Sequence, residues 1–331
     1  MQIVYLSNRP HVMRDTWQHV RHFMPWVDRA VIVTPSADRE AFASWADPAS
    51  ITLVADEEIT GSTSGSLGAL DHVRRNVTLR RALIGAGATD DVFLLSDDDY
   101  RPMRPVDETF FTDGRRDIGY YSYELAEWPG FETPFDEAQH VTHDALAFLG
   151  LPHLAFGAHM PQVMRRELWT EAFDLFGTVS DDNMVCEWAL YFNVARHRHP
   201  ERFEEPRPFE VMGWPQYGAE WPWWVRPPRW TFENFYPDMY EPGHLFEGLP
   251  VDLDPQRVTK VNFEKITRWT SFARSAERLD FPAGVHNPWT KDSPLRRAYF
   301  AALRPARKTL RYLSESRSAE RQDHPHPGDG A

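Results

Sequence analysis

The first hundred residues confine the chain to few folds, because four short apolar runs recur in them at intervals filled by helical periodicity. The runs are "IVYLS" (Ile3 to Ser7), "RAVIVTP" (Arg29 to Pro35), "ITLVAD" (Ile51 to Asp56) and "VFLL" (Val92 to Leu95). Each has the length of a strand and reads as buried. Between the first two, Trp17, Val20 and Met24 of "MRDTWQHVRHFMPW" fall on one helical face. Before the fourth, Leu70, Val73, Val77 and Ile84 share a face, with Arg74, Arg75 and Arg81 elsewhere on the same helix. Strands alternating with helices predict an α/β fold, a mostly parallel sheet covered by helices on both sides. Ligands of such a sheet bind beyond the carboxyl ends of its strands.

Beyond the fourth strand stands "SDDDYRPMRP": three consecutive aspartates, then prolines at 102 and 105. If the strand direction continues, Asp97 and Asp99 project to one side and Asp98 to the other. Two carboxylates on one side suit a hard divalent cation, Mg²⁺ or Mn²⁺, which prefers oxygen ligands and shares its shell with substrate phosphates. An acidic turn in water is the competing account.

Farther on, "HMPQVMRRELWTEAFDLF" predicts a helix from Pro161 to Phe176, and "DDNMVCEWALYFNVARH" a second one. Asp181 and Asp182 read as caps of that second helix. Residues 200 to 250 are rich in proline and aromatics without regular period. The expected divisions are an α/β core over 1–200, an irregular aromatic- and proline-rich lobe over 201–286, a basic amphipathic helical segment over 287–321 and a disordered tail over 322–331. In "LRRAYFAALRPARKTLRYL" an apolar stripe runs beside Arg297, Arg304, Lys308 and Arg311. Such a helix either lies on an anionic membrane surface or docks on the acidic body of its own protein. The net charge of −13 argues against nucleic acid as a partner. A lone cysteine, Cys186, excludes an internal disulfide and suits a reducing compartment. With no secretory leader legible in "MQIVYLSNRP" and no apolar run of membrane-spanning length, the expected location is cytoplasmic.

The order strand, helix, strand, then an apolar strand ending in "SDDDY" resembles the nucleotide-sugar transferases of GT-A fold, whose Asp-x-Asp motif binds metal and nucleotide. The pair "DDVFLLSDDDYRPMRPVDETFF" and "AHMPQVMRRELWTEAFDLF" also resembles the Stealth family of sugar-phosphate transferases, which follow a strand-end "DD" with an "HmP" segment. These resemblances imply a nucleotide-sugar donor, a carbohydrate acceptor and a Mn²⁺ or Mg²⁺ ion. Asp97 and Asp98 would then contact the nucleotide sugar, Asp99 and Asp97 the metal, and His159 the phosphate or the acceptor. A late histidine completes the metal shell in many GT-A folds, and His244 is the expected one here. Residues offer further candidates. Glu187 and Tyr191 lie one turn apart in "CEWALYFN", where Glu187 would accept the proton of an attacking hydroxyl and Tyr191 would touch the acceptor. Arg74 and Arg75, after the small flexible "STSGSLGALDH", would reach a phosphate at a helix N-terminus. Trp221 and Trp224, in a stretch holding five tryptophans from 214 to 230, would stack on an acceptor sugar. The competing readings of these residues are ordinary packing and solvated charge. Three functions remain open at this point: sugar transfer, sugar 1-phosphate transfer, and noncatalytic carbohydrate binding.

Overall fold

Side-chain parity along the strands sorts the apolar residues into two cores, one on each face of a sheet. The computed structural model describes residues 1–128, 132–180, 182–212, 229–251, 254 and 256–279. Its first half runs β1 (Gln2–Leu6), α1 (Pro10–Phe23), β2 (Arg29–Thr34), α2 (Arg39–Ala43), β3 (Ile51–Ala55), α3 (Asp56–Thr60), α4 (Ser64–Gly68), α5 (His72–Gly85), β4 (Val92–Leu95) and β5 (Tyr100–Pro102). There follow β6 (Tyr120–Tyr121), β7 (Tyr123–Glu124), α6 (Pro134–Phe148), β8 (Leu154–Ala155), β9 (Gln162–Arg165), α7 (Arg166–Gly177) and α8 (Glu187–Arg198). The last elements are β10 (Arg207–Pro208), β11 (Val211–Met212), β12 (Phe232–Asn234) and α9 (Val258–Leu279). The described residues belong to one compact unit, Met1–Asp280.

The central sheet has the order β3-β2-β1-β4-β9. Its first four strands are parallel, and β9 is antiparallel to β4 with Leu95 opposite Gln162. Val4, Val31, Val33, Phe93, Leu95 and Met164 face the core that α5, α7 and α8 complete. Ile3, Tyr5, Ala30, Ile32, Leu94 and Val163 face the opposite core, into which α1 sends Met13, Trp17 and Val20. This is the mixed α/β, mainly parallel architecture expected from the sequence, with helices on both faces.

The expected helix from Pro161 to Phe176 is half strand: Gln162–Arg165 forms β9 and the helix begins at Arg166. Val163 and Met164 enter opposite cores, which adjacent residues do in a strand and not on one face of a helix. The change has a consequence for the site. An antiparallel strand begins where its neighbour ends, so the residues just before β9 arrive at the carboxyl end of β4.

Local signals fix the helix starts. Asp71 caps α5 by accepting from the amides of Val73 and Arg74, and Thr133 and Asp136 form a reciprocal capping box on α6. Pro10 opens α1, where its missing N–H costs nothing.

The expected irregular lobe contains regular structure. Its strand β12 pairs with β5, and the 22-residue α9 packs Trp269 beside Met103, Met212, Met239 and Phe246. Beneath them Arg101, Glu233 and Lys265 are all buried. Glu233 accepts from Arg101 at 2.7 and 3.0 Å and from Lys265 at 2.9 and 3.2 Å. Burial works to raise the Glu233 carboxyl, but the two cations outweigh it and hold it at about 2. Among the described residues no helix is long and apolar enough to cross a membrane. The basic segment 287–321, the tail 322–331, and Trp221 and Trp224 lie outside the described residues.

Glu233→Gln strands two buried cations, so chemical denaturation should show a loss of about 3–5 kcal/mol. The sign of the pH dependence follows from the lowered carboxyl. Its contribution is complete above the ordinary carboxylate value of roughly 4.3 and is lost as pH falls toward about 2. The acid limb of stability should flatten in Glu233→Gln; an unchanged limb would show that Glu233 is not what holds this region together.

Candidate active site at the ends of β1 and β4

The strand order reverses at β1, whose neighbours are β2 on one side and β4 on the other. At such a switch point the connections leave in opposite directions, and a crevice opens at the carboxyl ends of the strands. Ser7 and Arg9 follow β1 into it, Asp97 to Asp99 follow β4, and His159 precedes β9. Arg80 of α5 and Glu187, the first residue of α8, reach the same place from one face of the sheet.

Parity carries past the end of β4 for two residues. Asp97 continues the row of Phe93 and Leu95 toward α5 and α8. One of its oxygens accepts from Arg80 at 2.6 Å, and the other is 2.6 Å from His159 Nδ1. Arg80 bridges to Glu187 with another nitrogen and lies over the Trp188 ring at 4.4 Å. The Arg80 and Glu187 side chains are 3% and 7% exposed, which makes this a buried ion chain with its outer end, Asp97 and His159, open to the crevice. Burial works to raise the Asp97 carboxyl; the His159 hydrogen bond and the Arg80 charge prevail and hold it at about 2. Asp97 is therefore ionised. His159 adopts φ 58°, the left-handed region, and its ring stacks on Tyr100. A carboxylate bonded to one imidazole nitrogen fixes the ring and its tautomer.

Asp98 continues the row of Leu94 toward α1. It accepts from Ser7 Oγ at 2.5 Å and is forked by Arg9, while Thr16 of α1 donates to its carbonyl at 2.6 Å. Parity then fails. A turn over Asp98 and Asp99, with the Tyr100 amide 3.4 Å from the Asp97 carbonyl, swings Asp99 round to Arg9 at 3.0 Å. Asp97 and Asp99 thus do not face one side together, as strand geometry had predicted. Asp99 shares a guanidinium with Asp98 and leaves Asp97 to the other face. Burial and the Asp98 charge outweigh Arg9 and raise the Asp99 carboxyl to about 6.

Other expected residues lie elsewhere. Arg74 forks Asp182 at 2.6 and 2.8 Å and pairs with Asp71, the cap that already occupies the α5 N-terminus. Arg75 pairs with Asp56. His244 is exposed on a turn after β12, and among the described residues no three His, Cys, Asp or Glu side chains are grouped to hold a metal. Tyr191 is fully buried, its hydroxyl accepting from the Arg165 amide, so it has no surface for an acceptor. Glu187 is neutralised by Arg80 and closed off. Arg9, Ser7 and Arg80 were missed from the sequence. For Arg80 the signal existed: with Val73, Val77 and Ile84 it completes the spacing of a core-facing stripe, an odd place for a cation.

No family model and no curated protein matches the chain. Solved structures align with it only at low similarity. Mouse xyloside xylosyltransferase 1 in its apo form aligns at TM-score 0.42 with 9% identity, over 72% of this chain and 97% of that one. Galactosyltransferase LgtC with donor and acceptor sugar analogues aligns at 0.39 with 12% identity, over 80% and 95%. An active-site mutant of LgtC aligns at 0.39 with 10% identity, over 79% and 95%. Likeness at this level carries no residue roles, and the assignments below stand on the crevice itself.

A carboxyl raised by its surroundings binds a proton more readily folded than unfolded, so its charge costs stability above that value. Asp99→Asn should stabilise the fold by roughly 1–3 kcal/mol at pH 8. The gain should fade as pH falls through about 6 toward the ordinary carboxylate range, read from denaturation midpoints across pH. A destabilised Asp99→Asn protein at pH 8 would refute this placement of Asp99.

Proposed function

We propose that the protein is a nucleotide-sugar-dependent transferase acting on a carbohydrate or cell-envelope acceptor. The observation that carries this reading is the meeting, at the topological switch point, of an anion-facing end with a carboxylate-held histidine. Arg9, 41% exposed at its side chain, stands at the N-terminus of α1, whose first turn has no side-chain cap. Helix dipole and guanidinium together suit the phosphates of a nucleoside diphosphate.

The charge sum calls for one more cation. Asp97, Asp98, Asp99 and Glu187 face Arg9, Arg80 and His159, an excess of negative charge even before a diphosphate enters. Mg²⁺ or Mn²⁺ is commonly held by one or two carboxylates shared with substrate phosphates, and Asp99 fits that demand. Asp97 does not, since both its oxygens are engaged, and His244 does not. When bound, such an ion offsets charge on the departing diphosphate. The remaining work falls to side chains of the chain. Arg9 and Ser7 hold Asp98 and the β1 end in place. Asp97 orients His159, which takes the proton of the attacking hydroxyl, the role first considered for Glu187. Glu187 positions Arg80, and through it Asp97. Attack at phosphorus instead of the anomeric carbon would transfer sugar 1-phosphate with the same parts.

The test incubates the protein with a panel of nucleotide sugars, Mn²⁺ or Mg²⁺ and mixed carbohydrate acceptors, and identifies the nucleotide released. Nucleoside diphosphate marks sugar transfer; monophosphate above a no-enzyme control marks phosphosugar transfer. His159→Asn should lower kcat by about 10²–10⁴-fold with donor affinity little changed. Sugar binding without turnover, indifferent to Asp99→Asn and to chelator, would leave a carbohydrate-binding protein in place of an enzyme.

A further inference from the structure

A second concave site lies at the other end of α1. Phe23, the last residue of that helix, accepts from the Val106 amide at 2.9 Å, and Val106 lines a cleft of about 300 Å³. Fourteen helical residues separate it from the crevice, roughly 20 Å at the α-helical rise. The cleft carries Arg104, Arg207 and Arg229, brought from three segments: the chain after β5, the strand β10 and the approach to β12.

Each arginine is held in place without being neutralised as a set. Arg104 donates to the Trp230 carbonyl. Arg207 pairs with Tyr120 in the register of β10 and β6, and its guanidinium lies by the Tyr120 hydroxyl. Arg229 donates to Glu210 at 2.7 Å, and Thr231 donates to the same carboxylate. Among the described residues no carboxylate forms an ion pair with Arg104 or Arg207. Burial and the nearby Arg229 charge together push Arg104 below its ordinary value, against the pull of Glu210. Three guanidiniums against Glu210 and Asp107 leave a positive cleft on a chain of net charge −13. A concave surface concentrates that field, and guanidinium forks match the oxygens of phosphate or carboxylate. Thr109 and Thr231 are the neutral polar residues beside them in the lining.

We infer that this cleft is an oxyanion-binding site, separate from the aspartate crevice, which takes the phosphate or carboxylate group of a small acidic ligand. Its volume admits a group the size of a single acidic sugar.

Titration calorimetry of the full chain at low ionic strength tests this with two probes, inorganic phosphate and glucuronate. One saturable site is expected for at least one of them, and the tighter probe names the group recognised. Arg104→Gln and Arg207→Gln should each weaken it by about tenfold or more, the loss of a charge-assisted hydrogen bond. Arg9→Gln should leave it unchanged. Arg207 is exposed, so Arg207→Gln alone carries the test if Arg104→Gln fails to fold. Absence of saturable binding by both probes overturns the inference. So does binding that survives the Arg207 substitution, or binding that only Arg9→Gln removes.

Discussion

One buried guanidinium organises the crevice. Arg80 lies between Asp97 and Glu187, so α5, the end of β4 and the start of α8 meet at a single cation. Taking that charge from water is costly, and the cost is offset only while both carboxylates and the Trp188 face remain in place. The arrangement propagates outward. Arg80 fixes Asp97, and Asp97 in turn fixes the ring of His159 at the partly exposed end of the chain. Glu187, which looks like a catalytic acid or base by type and position, is the inner anchor of this chain.

Consecutive aspartates therefore do three different jobs. Strand parity sends Asp97 to the α5 and α8 face and Asp98 to the α1 face, and the turn that follows aims Asp99 back at Arg9. Their carboxyls diverge accordingly: Asp97 is held at about 2 and Asp99 rises to about 6. Identical side chains in sequence meet opposite electrostatic settings, one locked as an anion and one drawn toward its neutral form. Environment, rather than residue type, assigns the roles.

The legible part of the fold was its strands. Runs apolar on both faces have few alternatives to a covered parallel sheet, and "VFLL" running into "SDDD" located the crevice. Less legible was β9, because four residues ahead of a strong helical pattern are absorbed into the helix when read by period alone. The helix α9 was hidden similarly: Val258, Asn262, Lys265 and Trp269 follow core spacing, but two of the four are polar. Arg80 and Lys265 belong to one class of miss. Each is a cation on a core-facing stripe, and its counter-ions come from distant segments that no local window joins. "VYLSNRP" supplied Ser7 and Arg9 for the same reason unseen, since their partner lies some ninety residues away.

Among the described residues, His159 is the only non-glycine with a left-handed backbone. An L-residue held there is under tension of roughly 1–2 kcal/mol, which glycine would not feel. The Asp97 hydrogen bond and the rings of Tyr100, Phe135 and Trp188 surround it there. A glycine there would relieve the tension and, with it, give up the fixed posture of the peptide that enters β9.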